Sequence, residues 1–338
     1  NWGAVRNPRR EWPQSSIEYE EDFADVLGQE TARQAAVIAA AGFHNLLLIG
    51  TKGSGKTMIA NRIPTLFPVL SREESMEISR IYSAAGLLTG NSPMLMRRPF
   101  RAPHHTISPT AMAGGGSVPT PGEITLAHRG ILFLDELPEF RRAALEVLRQ
   151  PLETHKICIS RVNGTYEFPA NFLLVGAMNP CPCGYYPDRN RCSCTQYQVE
   201  QYLGKLSGPL LDRFDLCTEV TDIPGEQLRE KKLGKTSLQL RREVCRVHEV
   251  QRQRYEGTDI RFNSALSGKE TKQYCQVSRE GKKLLDAAYE KMNLSLRAYH
   301  KILKTARTIA DLDAKEIIEE EHIAEAVCYR ALDKKYWR

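Results

Sequence analysis

Three short apolar runs, each followed by glycine or polar residues, organise the first two thirds of the chain. They lie at residues 46–49, 131–134 and 172–178. Runs that are apolar throughout are typical of strands buried on both faces of a parallel sheet. Because stretches with helical character separate them, we predict an α/β fold. Such sheets bind ligands at the carboxyl ends of their strands, so the residues after each run are candidate site residues.

The last third of the chain has helical periodicity instead. Apolar residues recur at helical spacing in residues 281–292, 296–311 and 320–333. We therefore predict a C-terminal lid made of helices. We expect three parts: an amino-terminal extension or linker at 1–21, an α/β core at 22–224, and a helical linker with the lid at 225–338.

The segment after the first run has the spacing of a phosphate-binding loop. "GTKGSGKT" matches the pattern G-x-x-x-x-G-K-[ST] between a strand and a helix. In such loops backbone N–H groups surround the phosphates, the lysine reaches the β and γ oxygens, and the hydroxyl binds Mg²⁺. ATP and Mg²⁺ are therefore the predicted cofactors. The residues assigned to them are Gly50, Gly53, Ser54, Gly55, Lys56 and Thr57.

Polar side chains after the other two runs are candidates for hydrolysis. Asp135 and Glu136 follow the second run, and Asn179 ends the third. In a protein with a phosphate-binding loop, a carboxylate pair suits two roles, in which Asp135 holds Mg²⁺ and Glu136 polarises the attacking water. We expect Asn179 to orient that water. The alternative is that Asn179 only caps its strand.

Composition narrows the class of protein further. The chain has 338 residues, of which 41% are hydrophobic and 26% charged, with a net charge of +6. No apolar run approaches the roughly 18 residues of a membrane span, and the basic start lacks the apolar centre of a secretory signal. We expect no membrane contact and a cytoplasmic, reducing location. The small positive charge is compatible with a polyanionic partner but does not indicate one.

Two segments interrupt the alternation of strands and helices. Residues 97–121 are rich in proline, glycine and cationic side chains, which is typical of a loop. In "KICISRVNGTYEF", two β-prone runs flank Asn163 and Gly164, a pair that favours a hairpin turn. Lys156 and Arg161 on this hairpin are candidates for contact with a nucleic-acid backbone. The alternative is a solvated surface hairpin.

Four of the nine cysteines lie within "CPCGYYPDRNRCSC", residues 181–194. This segment is polar and needs a cross-link to hold it, and four thiolates match a closed structural zinc site. The predicted ligands are Cys181, Cys183, Cys192 and Cys194. Their one-residue spacing is tighter than the usual two to four residues. Reduced thiols without a metal, and disulfides or a redox switch, remain alternatives.

Several longer strings resemble one family. "DFADVLGQE", "RPFRAPHHT", "PGEITLAHRGILFLDELPEF", "MNPCPCGY" and "KLSGPLLDRFDL" resemble the ComM/YifB family of AAA+ ATPases, which is related to magnesium-chelatase I subunits and MCM helicases. The resemblance covers about residues 22–332. It implies an AAA+ P-loop NTPase with a helix-2 insert and a pre-sensor-1 β-hairpin, assembled as a homo-hexamer around DNA. It also implies a preceding Lon-protease-like domain, for which residues 1–21 are too few.

The resemblance also assigns two arginines. Arg213, in "LLDRFDL", matches the arginine finger that reaches the nucleotide of a neighbouring subunit. The alternative is an ion pair with Asp212 or Asp215 of the same subunit. Arg297 matches sensor 2, which acts on its own nucleotide in some AAA+ proteins and on a neighbour's in others.

These features predict an ATPase that drives a DNA motor. The resemblance implies a hexameric helicase that promotes branch migration on single-stranded or branched DNA during recombination or natural transformation. One alternative is a magnesium-chelatase-type motor that remodels a partner protein. Another is a nucleotide-dependent switch without turnover, against which Glu136, Asn179 and Arg213 argue together.

Overall fold

The computed structural model describes five stretches of the chain: residues 19–88, 94–116, 119–161, 164–222 and 234–337, without the side chains of Arg161, Asp333 and Lys334. The strands in these stretches are β1 (Leu46–Gly50), β2 (Phe100–Arg101), β3 (Gly114–Gly115), β4 (Thr120–Pro121), β5 (Ile131–Leu134), β6 (Lys156–Arg161), β7 (Gly164–Pro169), β8 (Leu173–Met178) and β9 (Leu216–Val220).

Helices alternate with these strands and then follow them without further strands in the part of the chain that is described. They are α1 (Glu30–Gly42), α2 (Lys56–Arg62), α3 (Arg72–Ala84), α4 (Pro109–Ala113), α5 (Glu123–Leu126), α6 (Arg142–Glu146), α7 (Pro151–Thr154), α8 (Gln196–Leu203), α9 (Gly208–Leu211), α10 (Ser237–Arg254), α11 (Gly268–Tyr274), α12 (Arg279–Lys291), α13 (Leu296–Leu312) and α14 (Glu320–Tyr336).

A five-stranded parallel sheet lies at the centre, in the order β2-β5-β8-β1-β9. The three predicted apolar runs are β1, β5 and β8, and they are adjacent. Every residue of β5 and β8 is buried, as a parallel sheet covered on both faces requires. The α/β prediction is confirmed. Since all five strands point the same way, their carboxyl ends meet at one edge.

Each face of the sheet has its own hydrophobic core. Leu46 and Leu48 pack on one face in a cluster that includes Ile302 of α13. Leu47 and Ile49 point to the other face, as the two-residue period of a strand requires. The first cluster is continuous from the sheet into the lid, so the lid packs directly on the α/β core.

The predicted lid helices are confirmed. α12, α13 and α14 coincide with the three periodic stretches. α13 is the most buried of them, with nearly every residue of its second half covered. The boundary predicted between residues 224 and 225 lies outside the described residues, as does most of the predicted extension at 1–21. No described helix is long and apolar enough to cross a membrane.

The two insertions pack against each other. β6 and β7 pair antiparallel from Lys156 opposite Pro169 to Arg161 opposite Gly164, which confirms the hairpin. The turn residues 162–163 lie outside the described residues. In the first insertion, a β-carbon on Gly114 would lie 3.2 Å from Ile159 Cδ1 of the hairpin. The two insertions are therefore in van der Waals contact at this point.

Candidate functional site

The loop between β1 and α2 has the backbone shape that the phosphate-binding motif predicts. Gly53 and Gly55 have φ values of +82° and +98°, a region that favours glycine. A β-carbon on Gly50 would lie 2.2 Å from Val220 O at the end of β9. Local geometry therefore requires glycine at all three positions, as in loops that surround a phosphate with backbone N–H groups.

The Lys56 side chain lies inside this loop. Its amine donates to Gly50 O at 2.9 Å, to Thr51 O at 2.7 Å and to Asn179 Oδ1 at 3.1 Å. Burial lowers the pKa of Lys56, and nearby carboxylates oppose that shift. Three neutral oxygens thus hold the Lys56 amine. A phosphate oxygen that enters the loop would compete with these oxygens for the amine.

The carboxylates after β5 lie beside the loop. Thr57 Oγ1 donates to Asp135 Oδ2 at 2.8 Å, so the two predicted Mg²⁺ ligands are in contact. Glu136 has a φ of 51°, a left-handed conformation that side-chain-bearing residues adopt rarely. Its carboxylate lies 3.4 Å from His105 Nδ1 of the first insertion. One hydroxyl and one carboxylate form a donor set that fits Mg²⁺, which usually keeps several waters as its other ligands.

We call this group the nucleotide edge. It lies at the carboxyl ends of β1, β5 and β8, and the predicted nucleotide, magnesium and water-activating residues all belong to it. Its members are Gly50, Gly53, Ser54, Gly55, Lys56, Thr57, Asp135, Glu136 and Asn179.

Arg213 lies at the opposite edge of the sheet. It precedes β9, and its carbonyl accepts from Asn45 Nδ2, just before β1, at 2.9 Å. The phosphate-binding loop follows the other end of β1. Because a five-residue strand spans roughly 16 Å, Arg213 is too far away to contact a phosphate bound in its own loop.

Glu153 brings Arg213 and Arg297 together. One of its oxygens accepts from Arg213 Nη2 and lies 3.5 Å from Arg297 Nη2. Of the two aspartates considered as partners for Arg213, Asp215 instead lies 3.2 Å from Lys301 Nζ. We call Arg213, Arg297 and Glu153, with the cavity beside them, the arginine edge. Arg297, the predicted sensor 2, therefore lies with Arg213, the predicted arginine finger, and away from the phosphate-binding loop of the same chain.

The cavity at the arginine edge has a volume of about 700 Å³. Basic side chains outnumber acidic ones in its lining. The basic ones are Arg129, Arg213, Arg261, Arg297, Lys301 and Lys304, and the acidic ones are Glu153, Asp212, Asp215 and Asp259. Arg129 and Arg261 also pair with Glu77 and Glu74, which lie outside this lining, so the shared Glu153 contact of Arg213 and Arg297 leaves the clearest place for an anion.

The four clustered cysteines come together behind β8. Their sulfurs all lie within 4.8 Å of one another, with Cys181 Sγ 3.3 Å from that of Cys183 and 3.8 Å from that of Cys192. Tetrahedral zinc with bonds of about 2.3 Å holds its sulfurs roughly 3.8 Å apart. Burial, and then the side chains of Cys183 and Cys181, raise the pKa of Cys194 to about 12. The spacing of the four sulfurs fits a tetrahedral zinc site.

The structure separates the two candidate DNA-contact residues. Lys156 lies at the base of the hairpin, and its amine is 2.7 Å from Glu167 Oε1. Arg161 lies at the other end, next to the turn, and its side chain is not among those described. Contact of either residue with a nucleic acid stays a prediction.

Three side chains that contact the predicted site were not predicted for it. They are Glu153 at the arginine edge, His105 beside Glu136, and Asp222, which accepts from Thr51 Oγ1 and, at 2.8 Å, from Arg191 Nη1. Their partners are distant in sequence. His105 lies in the string "RPFRAPHHT", which resembles the ComM/YifB family, and Glu153 lies in "LRQPLE" (residues 148–153), which also resembles that family. Asp222 lies in none of the strings that resemble the family.

Fold and site define the class of protein. A parallel sheet in this order, with a phosphate-binding loop after β1, an acidic pair after β5, a polar residue after β8 and a helical lid, is the AAA+ P-loop NTPase fold.

Family matches are more specific. The family described as magnesium chelatase, subunit ChlI, matches residues 22–228, and the ChlI C-terminal family matches residues 234–330. The chain belongs to the magnesium chelatase subunit ChlI family of AAA+ ATPases. This membership implies the use of ATP and Mg²⁺.

Two individual proteins are similar to this chain over most of its length. The chain is 45% identical over 314 residues to the uncharacterized protein YifB of Salmonella typhimurium, covering 93% of this chain and 61% of that protein. It is 46% identical over 312 residues to competence protein ComM of Haemophilus influenzae, covering 92% and 60%. The resemblance to the ComM/YifB family is confirmed. The chain spans about three fifths of the length of these relatives.

Likeness to the chelatase subunits themselves is more distant. The chain is 25% identical over 214 residues to the magnesium-chelatase 38 kDa subunit of Cereibacter sphaeroides, which covers 59% of this chain and 58% of that protein.

Proposed function

We propose that the chain is the motor module of a hexameric ring that hydrolyses ATP and moves along DNA. Its task in this proposal is branch migration during recombination or natural transformation. The observation that carries the proposal is the separation of the nucleotide edge from the arginine edge. Each edge holds half of the groups that hydrolysis needs, so a complete site forms only where two copies of the chain meet.

At the nucleotide edge, the chain binds ATP and activates water. The loop from Gly50 to Thr57 surrounds the phosphates, and Lys56 exchanges its carbonyl partners for phosphate oxygens. Thr57 and Asp135 hold Mg²⁺, which when bound neutralises charge on the phosphates. Glu136 accepts a proton from the attacking water, and Asn179 orients that water beside the γ-phosphate.

At the arginine edge, a second copy completes the site. Arg213 and Arg297 give up Glu153 for the γ-phosphate of the neighbouring copy and stabilise the charge that develops on it. Both arginines act on the neighbour, because they share one carboxylate and lie on the same side of the sheet. An isolated chain is then nearly inactive.

For the DNA partner, the support comes from the two insertions and from a relative. The insertions pack together through Gly114 and Ile159, and His105 of the first lies beside Glu136. A ligand that pushes the hairpin is thus connected through the first insertion to the hydrolytic residue. The name competence protein ComM, carried by a relative, agrees with a role in DNA uptake or recombination.

A magnesium-chelatase-type motor that remodels a partner protein is the second candidate. The charge on Lys156 is already paired with Glu167, and Tyr166 is 41% exposed on the hairpin. A hairpin with a paired cation and an exposed aromatic ring also suits contact with a protein. The family match includes the chelatase subunits, so this candidate shares the same ATP chemistry.

The steady-state ATPase rate with and without DNA separates the two candidates. The assay uses the full chain, single-stranded and forked DNA as effectors, and the Glu136→Gln variant as a blank. We expect a rise of about tenfold or less with DNA that disappears in the variant. A rate that DNA does not change would contradict the DNA motor and favour remodelling of a partner protein.

We propose further that Cys181, Cys183, Cys192 and Cys194 hold a structural zinc ion. The short distances between their sulfurs support this assignment, as do the N–H groups of Gly184 and Tyr186, which donate to Cys181 Sγ at 3.2 and 3.4 Å. Elemental analysis of protein purified without added metal should find about one zinc per chain. A content far below that refutes the assignment.

A further inference from the structure

The segment that holds the four cysteines, residues 181–194, lies directly against the phosphate-binding loop. We call it the tetracysteine segment. A β-carbon on Gly184 would lie 3.4 Å from Lys52 N. Gly184 has a φ of +91°, so this close approach uses a conformation that glycine adopts at low cost. The backbone of the segment therefore forms one wall of the loop.

Asp222, just after β9, links the same two elements by hydrogen bonds. One of its oxygens accepts from Thr51 Oγ1 in the loop, and the other accepts from Arg191 Nη1 in the tetracysteine segment at 2.8 Å. The Arg191 guanidinium lies 4.2 Å from the centre of the Tyr185 ring, a contact that limits its freedom. Asp222 thus bridges the segment and the loop.

This bridge continues to Lys56. Thr51 uses its hydroxyl for Asp222 and its carbonyl for the Lys56 amine, at 2.7 Å. Hydrogen bonds from Thr51 and Arg191 hold the pKa of Asp222 below its usual range, so the carboxylate is charged at neutral pH. Movement of Asp222 displaces the carbonyl that holds Lys56 in place.

Both contacts with the loop lie next to cysteines. Gly184 directly follows Cys183, and Arg191 directly precedes Cys192. The tetracysteine segment consists of turns, without helix or strand, and its internal backbone hydrogen bonds join residues only three or four positions apart. A cross-link between the four sulfurs would hold Gly184 and Arg191 in a fixed relation.

We propose that the tetracysteine segment holds the phosphate-binding loop in its nucleotide-binding conformation, with Arg191 and Asp222 as positioning residues and zinc as the cross-link. The inference rests on the proposed zinc site and on nucleotide binding, but it requires neither a ring nor DNA. Loss of zinc or of the bridge weakens nucleotide affinity and leaves the chemistry of hydrolysis unchanged.

Equilibrium binding of N-methylanthraniloyl-ADP to the full chain tests the inference. Removal of zinc with a chelator should weaken binding about tenfold, since it releases both the bridge and the wall. The Arg191→Ala variant should keep its zinc and bind about threefold more weakly, the size expected for loss of an exposed ion pair. At saturating ATP, its turnover rate should equal that of the unmodified chain, because only positioning of the loop is affected.

Arg189→Ala is the matched control. Arg189 belongs to the same segment, but its guanidinium donates to Gln196 of α8 at 3.0 Å and to the Cys194 carbonyl at 3.3 Å instead of to Asp222. Variant protein that keeps its zinc, checked by elemental analysis, should have unchanged nucleotide affinity.

Unchanged affinity in zinc-free protein that keeps its circular dichroism spectrum overturns the inference. If elemental analysis finds no zinc, the zinc assignment fails by itself, and Arg191→Ala and Asp222→Asn then decide the role of the bridge. The same two variants decide it if removal of zinc unfolds the chain. Wild-type affinity in both variants refutes the inference.

Discussion

The nucleotide edge and the arginine edge lie at opposite ends of the same parallel strands, and they are built differently. Two side chains of the nucleotide edge have their partners within the chain: Lys56 is held by two carbonyls and an amide, and Thr57 is bonded to Asp135. At the arginine edge, two cations share the single carboxylate of Glu153 beside a basic cavity.

This difference indicates which edge is complete in one chain. The nucleotide edge has the donors and acceptors that a magnesium nucleotide needs. At the arginine edge, Arg213 and Arg297 share one carboxylate, so an anion supplied by another molecule would balance them more completely. In the proposed ring, that anion is the γ-phosphate of the neighbouring copy.

Arg213→Ala should have the largest effect on turnover and the smallest on binding. We expect the ATPase rate to fall about 10³-fold, the size seen when an arginine finger is lost, while affinity for N-methylanthraniloyl-ADP stays unchanged. The measurements are steady-state turnover and fluorescence titration on the same preparation.

Arg252→Ala is the control for Arg213→Ala, because Arg252 is an exposed arginine of α10 paired with Glu249. Arg252→Ala should leave both the ATPase rate and the affinity for N-methylanthraniloyl-ADP unchanged. A parallel loss of affinity and rate in Arg213→Ala would place Arg213 in its own nucleotide site and remove the distinction between the edges.

Glu136→Gln tests the nucleotide edge in the same way. The amide cannot accept the proton of the attacking water, so we expect turnover to fall about 10²-fold with ATP affinity retained. Glu139→Gln is the matched control, since Glu139 lies three residues away and pairs with Lys205 at 3.2 Å. Turnover close to normal in Glu136→Gln would refute its role as the base.

Asp215→Asn tests how the arginine edge is held together. Asp215 pairs with Lys301 at 3.2 Å, and both side chains are mostly buried. Its loss leaves the Lys301 charge without its partner, so we expect the free energy of unfolding to fall by about 2 kcal/mol at pH 7. Asp259→Asn, an exposed position in the same cavity lining, should cost little.

The stabilisation that Asp215 provides should depend on pH in a definite direction. Burial opposes ionisation of Asp215, but Lys301 and His44 prevail and hold its pKa below the usual 3.8. The stabilisation is therefore complete above pH 3.8 and disappears as the pH falls through the lower, folded-state value. Urea unfolding at pH 7, 5 and 3 should show the same difference between the two proteins at pH 7 and 5 and a smaller difference at pH 3. A constant difference would contradict this reading.

Charge removal from the hairpin should have the smallest effect. Lys156→Ala with Arg161→Ala should weaken binding of fluorescent single-stranded DNA a few-fold and lower its salt slope by about 1 to 2. Lys156→Ala alone should contribute less than Arg161→Ala, because Glu167 already balances Lys156. Unchanged anisotropy titrations at several salt concentrations would exclude the hairpin as a DNA contact.

Much of the nucleotide edge could be predicted because its signals are local. The glycines of the loop, the apolar run of β5 and the Asn163–Gly164 pair each act within a few residues. The lid helices were predictable for the same reason, since helical periodicity is visible within a single short stretch of sequence.

The arginine edge and the bridge were less predictable because their contacts join distant residues. Glu153 and Arg213 are 60 positions apart, and Thr51 and Asp222 are 171 apart. Such pairs form only once parallel strands bring their ends to a common edge. Resemblance assigned roles to Arg213 and Arg297, but it did not show that Glu153 joins them or that Asp222 touches the loop.

Mixing two inactive variants tests the shared site most directly. Lys56→Ala lacks a working nucleotide edge and Arg213→Ala lacks a working arginine edge. In a mixed ring, the nucleotide edge of the second meets the arginine edge of the first, so the ATPase rate should recover to a maximum near equal proportions. A mixture of Lys56→Ala with Glu136→Gln, both damaged at the nucleotide edge, should stay inactive. No recovery at any ratio in the first mixture would contradict a site shared between two chains.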